Sequence, residues 1–348
     1  MAVEDFGGTV LGKPVKVFVG DHRNSVATAA DIATGWFDND GVGIVLDMPN
    51  STIALATQKL AADRGKISVT VSAGSTDLTG SQCRDTAFHW AYDTYSNTMN
   101  LEKSMVGFGL NTWFFITADY SFGWTMEEAA SKAVTAAGGR VVGSIRHPLN
   151  AADFSPFVTA AIESNAKVIA LADAGGDTIN AIRKAAELGI SPRSQTLAPL
   201  LVFITDVDAL GLEVAQGMTF IDGFYWDRTD ETRRWSRRFF DRRGSMPTMT
   251  HAGVYSAALH YLRAVQAAGT DDGQSVAAKM HELPVKDFFA ENGEVRANGR
   301  MAHDMYLVQT KRPEEAEYAW DYYKILATIS AKEAFQPAAE TGCQLVTR

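Results

Sequence analysis

The chain has 348 residues, which at roughly 150 residues per domain suggests about two domains. Hydrophobic residues make up 46% and charged residues 21%, a balance that excludes intrinsic disorder. The 32 Lys and Arg set against 41 Asp and Glu give a net charge of -9. That excludes a protein whose main task is gripping nucleic acid, because neutralising phosphates needs a basic face. No apolar run approaches the roughly 18 residues that span a bilayer. Met1 to Glu4 lack the basic and apolar regions of a secretory signal, so no export signal is read in the chain.

Short apolar strands alternate with amphipathic helices along the sequence. Val15 to Val19 reads as a strand. Ser25 to Asn39 reads as a helix, with Ala29, Ile32, Ala33 and Trp36 on one face and Gly41 closing it. Gly43 to Leu46 is a uniformly apolar strand, the pattern of a parallel strand covered on both faces. Asn50, Ser51 and Thr52 offer caps to a helix carrying Ile53, Ala56, Leu60 and Ala61. A strand at Ile67 to Val71 runs into a polar loop, Ser72 to Gln82. A helix from about Thr94 to Phe108 leads to a strand at Thr112 to Thr117.

The grammar then repeats. Phe122 to Ala137, Phe154 to Ser164 and Thr178 to Leu188 read as helices, and Arg140 to Ser144, Lys167 to Leu171 and Leu200 to Ile204 as strands. Strand-helix-strand units with short connections mean parallel sheets flanked by helices. The two runs join near Ala118 to Tyr120 without a Pro/Ser-rich linker. After Asp227 come helices at Asp230 to Arg243, Thr248 to Ala268 and Ser275 to Leu283. A hairpin-like pair follows in Asn292 to Val308, with a last strand at Tyr322 to Thr328.

Several motifs invite chemistry and lose it on inspection. Gly7 to Lys13 fits a phosphate-binding loop until Pro14 occupies the position that needs a hydroxyl, and a strand follows instead of a helix. The glycines read as a helix cap and a turn. The seven histidines show no metal-ligand spacing, and no nucleophile elbow or nucleophile–base signature is present, so no enzyme, metal or cofactor is implied. The arginine-rich run Arg233 to Arg243 places Trp235 and Phe239 on one face, which reads as a solvated face on a half-buried helix. Cys83 and Cys343 are either two buried hydrophobes or one long-range disulfide. Their polar, turn-rich contexts do not read as core and favour the bridge in an oxidising compartment.

Ligands of open parallel sheets bind beyond the carboxyl ends of the strands. The loops there are Asp47 to Ser51, Ser72 to Thr76, Asp119 to Phe122, Asp173 to Asp177 and Thr205-Asp206. They are rich in glycines and short hydroxyl residues beside helix N-termini, a surface that suits an anion such as a carboxylate. Aromatic residues near the junctions, including Tyr92, Tyr120, Phe122, Trp124 and Tyr225, suit a flat or apolar ligand body.

Ala2 to Gly8 with Leu11 to Val15, Pro49-Asn50-Ser51, Ser72 to Thr79, Ala118 to Gly123 and Asp153-Phe154-Ser155 carry a resemblance in their order and spacing. The chain resembles the branched-chain amino acid (Leu/Ile/Val) type of solute-binding protein for ABC importers, of the type I periplasmic binding protein fold. The resemblance implies an α/β architecture of two Rossmann-like lobes joined by three crossovers. Lobe 1 would take residues 1–118 and 227–300, lobe 2 residues 119–226 and 301–330, with 331–348 as a tail. It implies a cleft that closes over the ligand by a hinge, without chemistry. The loops at Asn50, Ser51 and Thr52 and at Ala73, Gly74 and Ser75 would hold a ligand carboxylate. Tyr120 to Phe122 would lay an aromatic over it. Asp206 or Asp173 would hold an ammonium group.

Where family members are expected to show a tyrosine, Asp173-Ala174 stands, which argues against plain leucine or valine and, with the aromatic loops, for an aromatic or otherwise large carboxylate. A ligand-sensing receptor or regulatory domain for an amide or urea is the alternative on the same fold. The resemblance also implies a membrane permease as partner and a periplasmic location. It further implies that the first strand of lobe 1 is missing from this chain, as in a truncated reading of a longer gene.

Overall fold

The computed structural model describes residues 1–190 and 194–346. The chain divides into two compact units. Unit 1 holds Met1–Asp93, Thr250–Asp304 and Ala331–Arg348, and unit 2 holds Thr94–Met249 and Met305–Ser330. Residues 347 and 348 of the expected tail lie outside the described residues. The three anticipated crossings are followed by a fourth, which returns the carboxyl-terminal segment to unit 1.

Unit 1 begins with α1 (Ala2–Phe6), closed by Gly7 at φ +105°, where a side chain would be strained. The Gly7 and Gly8 N–H groups donate to Glu4 O and Val3 O. A tight turn through Leu11 and Gly12, both left-handed, pairs β1 (Thr9–Val10) with β2 (Lys13–Pro14). The glycine-rich opening is therefore a cap and a turn. Val15 to Val19, expected as a strand, is not one: Val17 is 70% and Val19 92% exposed. A strand exists through its ladder, and no described segment pairs with this one.

The chain continues through α2 (Val26–Asp38), β3 (Ile44–Leu46), α3 (Ser51–Ala62), β4 (Ile67–Thr70) and β5 (Ala87–His89). These strands form a parallel sheet in the order β3-β4-β5. Ala33 and Phe37 of α2 and Ile53 and Ala61 of α3 build the core with Val45 and Leu78. β5 was not anticipated, because three residues are too few to show a period.

Unit 2 follows with α4 (Met99–Gly107), β6 (Thr112–Ala118), α5 (Ser121–Ala136), β7 (Arg140–His147), α6 (Ser155–Glu163), β8 (Val168–Ala172), α7 (Gly176–Glu187) and β9 (Thr196–Pro199). The sheet is parallel in the order β7-β6-β8-β9. All five residues of β8 are buried, as its uniform apolar run requires. Next come α8 (Ile204–Leu210), α9 (Leu212–Ala215), β10 (Thr219–Asp222) and α10 (Asp230–Arg243). The chain returns to unit 1 along α11 (Met249–Ala268), α12 (Gly273–Glu282) and the antiparallel pair β11 (Glu294–Val295) and β12 (Met301–Ala302). β13 (Met305–Thr310) and β14 (Tyr323–Ile329) complete an antiparallel sheet β10-β13-β14 in unit 2, and α13 (Ala331–Ala334) lies in unit 1.

The unit boundaries differ from those read in the sequence. The first crossing falls at Asp93/Thr94 and not near Ala118, because β6 is hydrogen-bonded between β7 and β8. The second falls at Met249/Thr250 and not at 227, because α10 packs within unit 2 through Trp235 against Phe224, with ring centroids 6.1 Å apart. The third lies at Asp304/Met305, since β12 pairs with β11. The strand expected at Leu200 to Ile204 is instead β9, set by the Thr196 N–H on Lys167 O, and Ile204 already begins α8.

Cys83 and Cys343 form a disulfide with Cα atoms 5.7 Å apart. Both are buried, so their polar neighbours in sequence misled about exposure. The tail is part of unit 1, held by this bridge and by Phe335 against His303.

Candidate functional site

The predicted residues fall into two groups, one at the strand ends of each unit. In unit 1, β3 ends at Asp47, a non-glycine residue in the left-handed region at φ +65°. Its two carboxyl oxygens accept from the Ser72 N–H and the Ser72 hydroxyl, each at 2.8 Å. Burial pushes this carboxyl above its ordinary value, against the pull of those hydrogen bonds. Asn50 caps α3, its Oδ1 accepting from Thr52 N at 2.9 Å and Ile53 N at 3.2 Å. The Ser51 hydroxyl accepts from Ser75 N at 3.2 Å, so the loops after β3 and β4 are joined twice. Thr52 is exposed.

The loop after β4 has its carbonyls turned into the protein. Tyr92 donates its hydroxyl to Ser72 O, and His89 Nε2 donates to Ala73 O at 2.7 Å. Burial, then the charge of Arg300, holds His89 well below the usual histidine range, so it is neutral. The Ser75 hydroxyl accepts from Asp77 N at 3.3 Å. The N–H groups of Ala73 and Gly74 donate to no described residue. The structure thus gathers Asn50, Ser51, Thr52, Ala73, Gly74 and Ser75 around one edge, with Tyr92 as a support.

In unit 2, Tyr120 precedes α5 in extended backbone, with its ring 5.8 Å from that of Phe122. Gly123 follows because a Cβ there would stand 2.0 Å from Ala118 O, so only glycine lets the helix start so close to the strand end. Phe122 is buried and Tyr120 half-buried. Asp173 follows β8 and is wholly buried, its Oδ1 accepting from the Thr178 hydroxyl at 2.6 Å. Its Oδ2 stands 3.6 Å from His147 Nε2 and has no hydrogen bond. Burial alone would pull His147 down, but the Asp173 carboxylate holds it above the usual value. Burial, then Asp173 and Asp177, push the Tyr120 phenol up.

Asp206 is a helix cap: its Oδ2 accepts from Phe203 N at 2.9 Å. Burial pushes it up to about 6, with the charge of Asp173 adding to that effect. Asp222, at the end of β10, is pushed up to about 7 by burial, with Asp206 adding. Tyr225 donates to Asp321 at 3.4 Å, and its ring lies tilted against that of Tyr323 with centroids 5.2 Å apart. Ala174 is half-buried next to Asp173.

Asp47, His147 and Asp222 were not singled out as site residues from sequence. The available signal was a polar residue directly after or ending an apolar strand, at the end where ligands bind. Trp124 is also fixed there, its indole N–H on Asp119 at 2.9 Å and Arg146 5.6 Å over its ring. Among the described residues no group of three or more His, Cys, Asp or Glu could hold a metal ion, and no helix is long and apolar enough to cross a membrane.

Parallel sheets with small-residue loops at their carboxyl ends define a class of two-unit α/β ligand-binding proteins. Residues 1–316 match the family model described as periplasmic binding protein. A periplasmic binding protein from Burkholderia mallei is 44% identical, with a TM-score of 0.96 over 99% of this chain and 91% of that one. A branched-chain amino acid ABC transporter periplasmic ligand-binding protein from Burkholderia xenovorans is 37% identical, with a TM-score of 0.87 over 99% and 92%. An amino acid ABC transporter substrate-binding protein from Pseudomonas fluorescens is 25% identical, with a TM-score of 0.88 over 98% and 91%. A search of the curated proteins finds no match. The chain belongs to the periplasmic binding protein family, whose members bind solutes without transforming them, and this membership implies an extracytoplasmic location.

Proposed function

We propose that this chain is a periplasmic solute-binding protein that captures a small carboxylate and delivers it to the membrane permease of an ABC importer, with no chemical step. The observation that carries the reading is the pair of Ala73 and Gly74 N–H groups without acceptors, beside the Ser75 hydroxyl. Two main-chain donors in succession on one loop suit the two oxygens of a carboxylate. Carbonyls 72 and 73 are held away by Tyr92 and His89, so they do not repel an anion.

On unit 2, Asp173 is the better partner for a ligand ammonium group. Its Oδ2 has no hydrogen bond, whereas Asp206 spends an oxygen on its helix cap. Tyr120 supplies an aromatic face nearby. An amino acid with a large or aromatic side chain is the ligand class proposed. The same fold holds benzoate in a Rhodopseudomonas palustris protein at 19% identity, so aromatic acids without an amine belong among the candidates.

Thermal-shift titration against L-leucine, L-phenylalanine, benzoate, 3,4-dihydroxybenzoate, acetamide and urea tests the proposal. A true ligand at a hundredfold excess over Kd stabilises by about 2.7 kcal/mol, and it is recovered unaltered. Turnover of the hit, or a folded protein that responds only to the amides, overturns it.

A further inference from the structure

Asp47 is the one residue of the unit 1 loops that combines backbone strain with a fully committed acid. It holds φ +65°, a region that strains a non-glycine residue and that Asp and Asn tolerate best. Such strain persists where surrounding contacts over-determine it. Those contacts are present. Asp47 N donates to Val69 O at 2.9 Å, and the carboxyl grips both the N–H and the hydroxyl of Ser72, 25 residues away. The residue therefore fastens the end of β3 to the end of β4.

What it fastens matters. Residues 48–52 begin directly after Asp47, and residues 73–75 begin directly after Ser72. The Ser75 N–H also donates to the Ser51 hydroxyl between those two loops, over a longer 3.2 Å. With Ser72 held, its carbonyl accepts from the Tyr92 hydroxyl, and the next N–H groups, Ala73 and Gly74, donate to no described residue.

We propose that Asp47 is a positioning residue for solute binding: it sets the 72–75 loop so that its main-chain donors converge, without touching the solute itself. The inference rests on the carboxylate reading above for its effect on affinity, but the loop-fixing step stands apart from it. Asn in place of Asp keeps an acceptor for the Ser72 N–H and tolerates the same backbone conformation, whereas Ala keeps neither.

The test uses the full chain with Asp47→Asn, Asp47→Ala and Ser72→Ala. Amide hydrogen exchange, which needs no ligand, reads the loop. Exchange at Ser72, whose N–H the Asp47 carboxyl accepts, rises at least tenfold in Asp47→Ala and stays near wild type in Asp47→Asn, with α11 and β8 unchanged in all. Calorimetric titration with L-phenylalanine and benzoate reads the function. The probe that binds wild type binds Asp47→Ala at least tenfold more weakly and Asp47→Asn within about threefold. Unchanged exchange in Asp47→Ala, or Asp47→Asn as damaged as Asp47→Ala in exchange, overturns the positioning role. If neither probe binds wild type, the carboxylate reading fails, and the exchange result alone still decides the role of Asp47.

Discussion

The strand ends of the two units solve different problems. Unit 1 offers an edge of main-chain N–H groups and short alcohols, with the Asp47 carboxyl consumed by Ser72. Unit 2 offers titratable groups: His147, Asp173, Asp177, Asp206 and Asp222 run along its strand ends, several without full hydrogen bonding. Donors fixed by backbone geometry suit an anion and are indifferent to pH. Buried carboxyls suit a cation and respond to pH.

The largest expected effect separates the units by covalent chemistry. Only unit 1 carries the Cys83–Cys343 bridge, so reduction, or Cys83→Ser with Cys343→Ser, should destabilise it by about 2–5 kcal/mol. Calorimetry with and without reductant checks this, and a loss that falls on unit 2 in hydrogen exchange would break the contrast. Next, Ser75→Ala should weaken carboxylate binding by about 1–3 kcal/mol in titration calorimetry, because a buried anion loses a hydroxyl donor. Unchanged affinity would remove Ser75 from the unit 1 edge.

The pH responses should oppose one another. In unit 2, Asp206 near 6 and Asp222 near 7 lie above their ordinary 3.8, so the native state holds protons that the unfolded chain releases. That stability is complete in acid and is lost as pH rises from about 4 through 7. In unit 1, burial lowers His89, His260 and His281 below 6.5, so the stability these histidines contribute is complete above that value and is lost as pH falls below it. Whole-chain melting should vary little because the slopes partly cancel, while exchange rates resolve them unit by unit. Asp222→Asn should flatten the slope of unit 2 alone. The smallest effect is local: Asn50→Ala removes the cap of α3 and should cost about 1 kcal/mol by chemical denaturation.

The parts legible in the sequence were those with a sustained period. α2, α5, α10 and the buried run of β8 stand within one or two residues of their expected places, because apolar spacing records which face is covered. Short or conditional elements were not legible. β5 has three residues, and β9 lies four residues ahead of the apolar run that was read as a strand, where Phe203 instead precedes a helix. Val15 to Val19 has the composition of a strand and lacks a ladder. The small-residue loops of the candidate site could be found from their position after strands. The acids could not be ranked: that Asp206 caps a helix while Asp173 keeps an oxygen without a hydrogen bond depends on contacts absent from any local pattern.

Unit 2 lies wholly between positions 83 and 343, which are joined through sulfur across 260 residues of chain. It is therefore threaded into a covalent ring. A protease that nicks any exposed loop inside that ring cannot release a fragment, and the clipped molecule migrates as one piece until a thiol is added. For a protein that works outside the cytoplasm, where peptidases are met without repair, such a tether turns a single scission from loss into survivable damage.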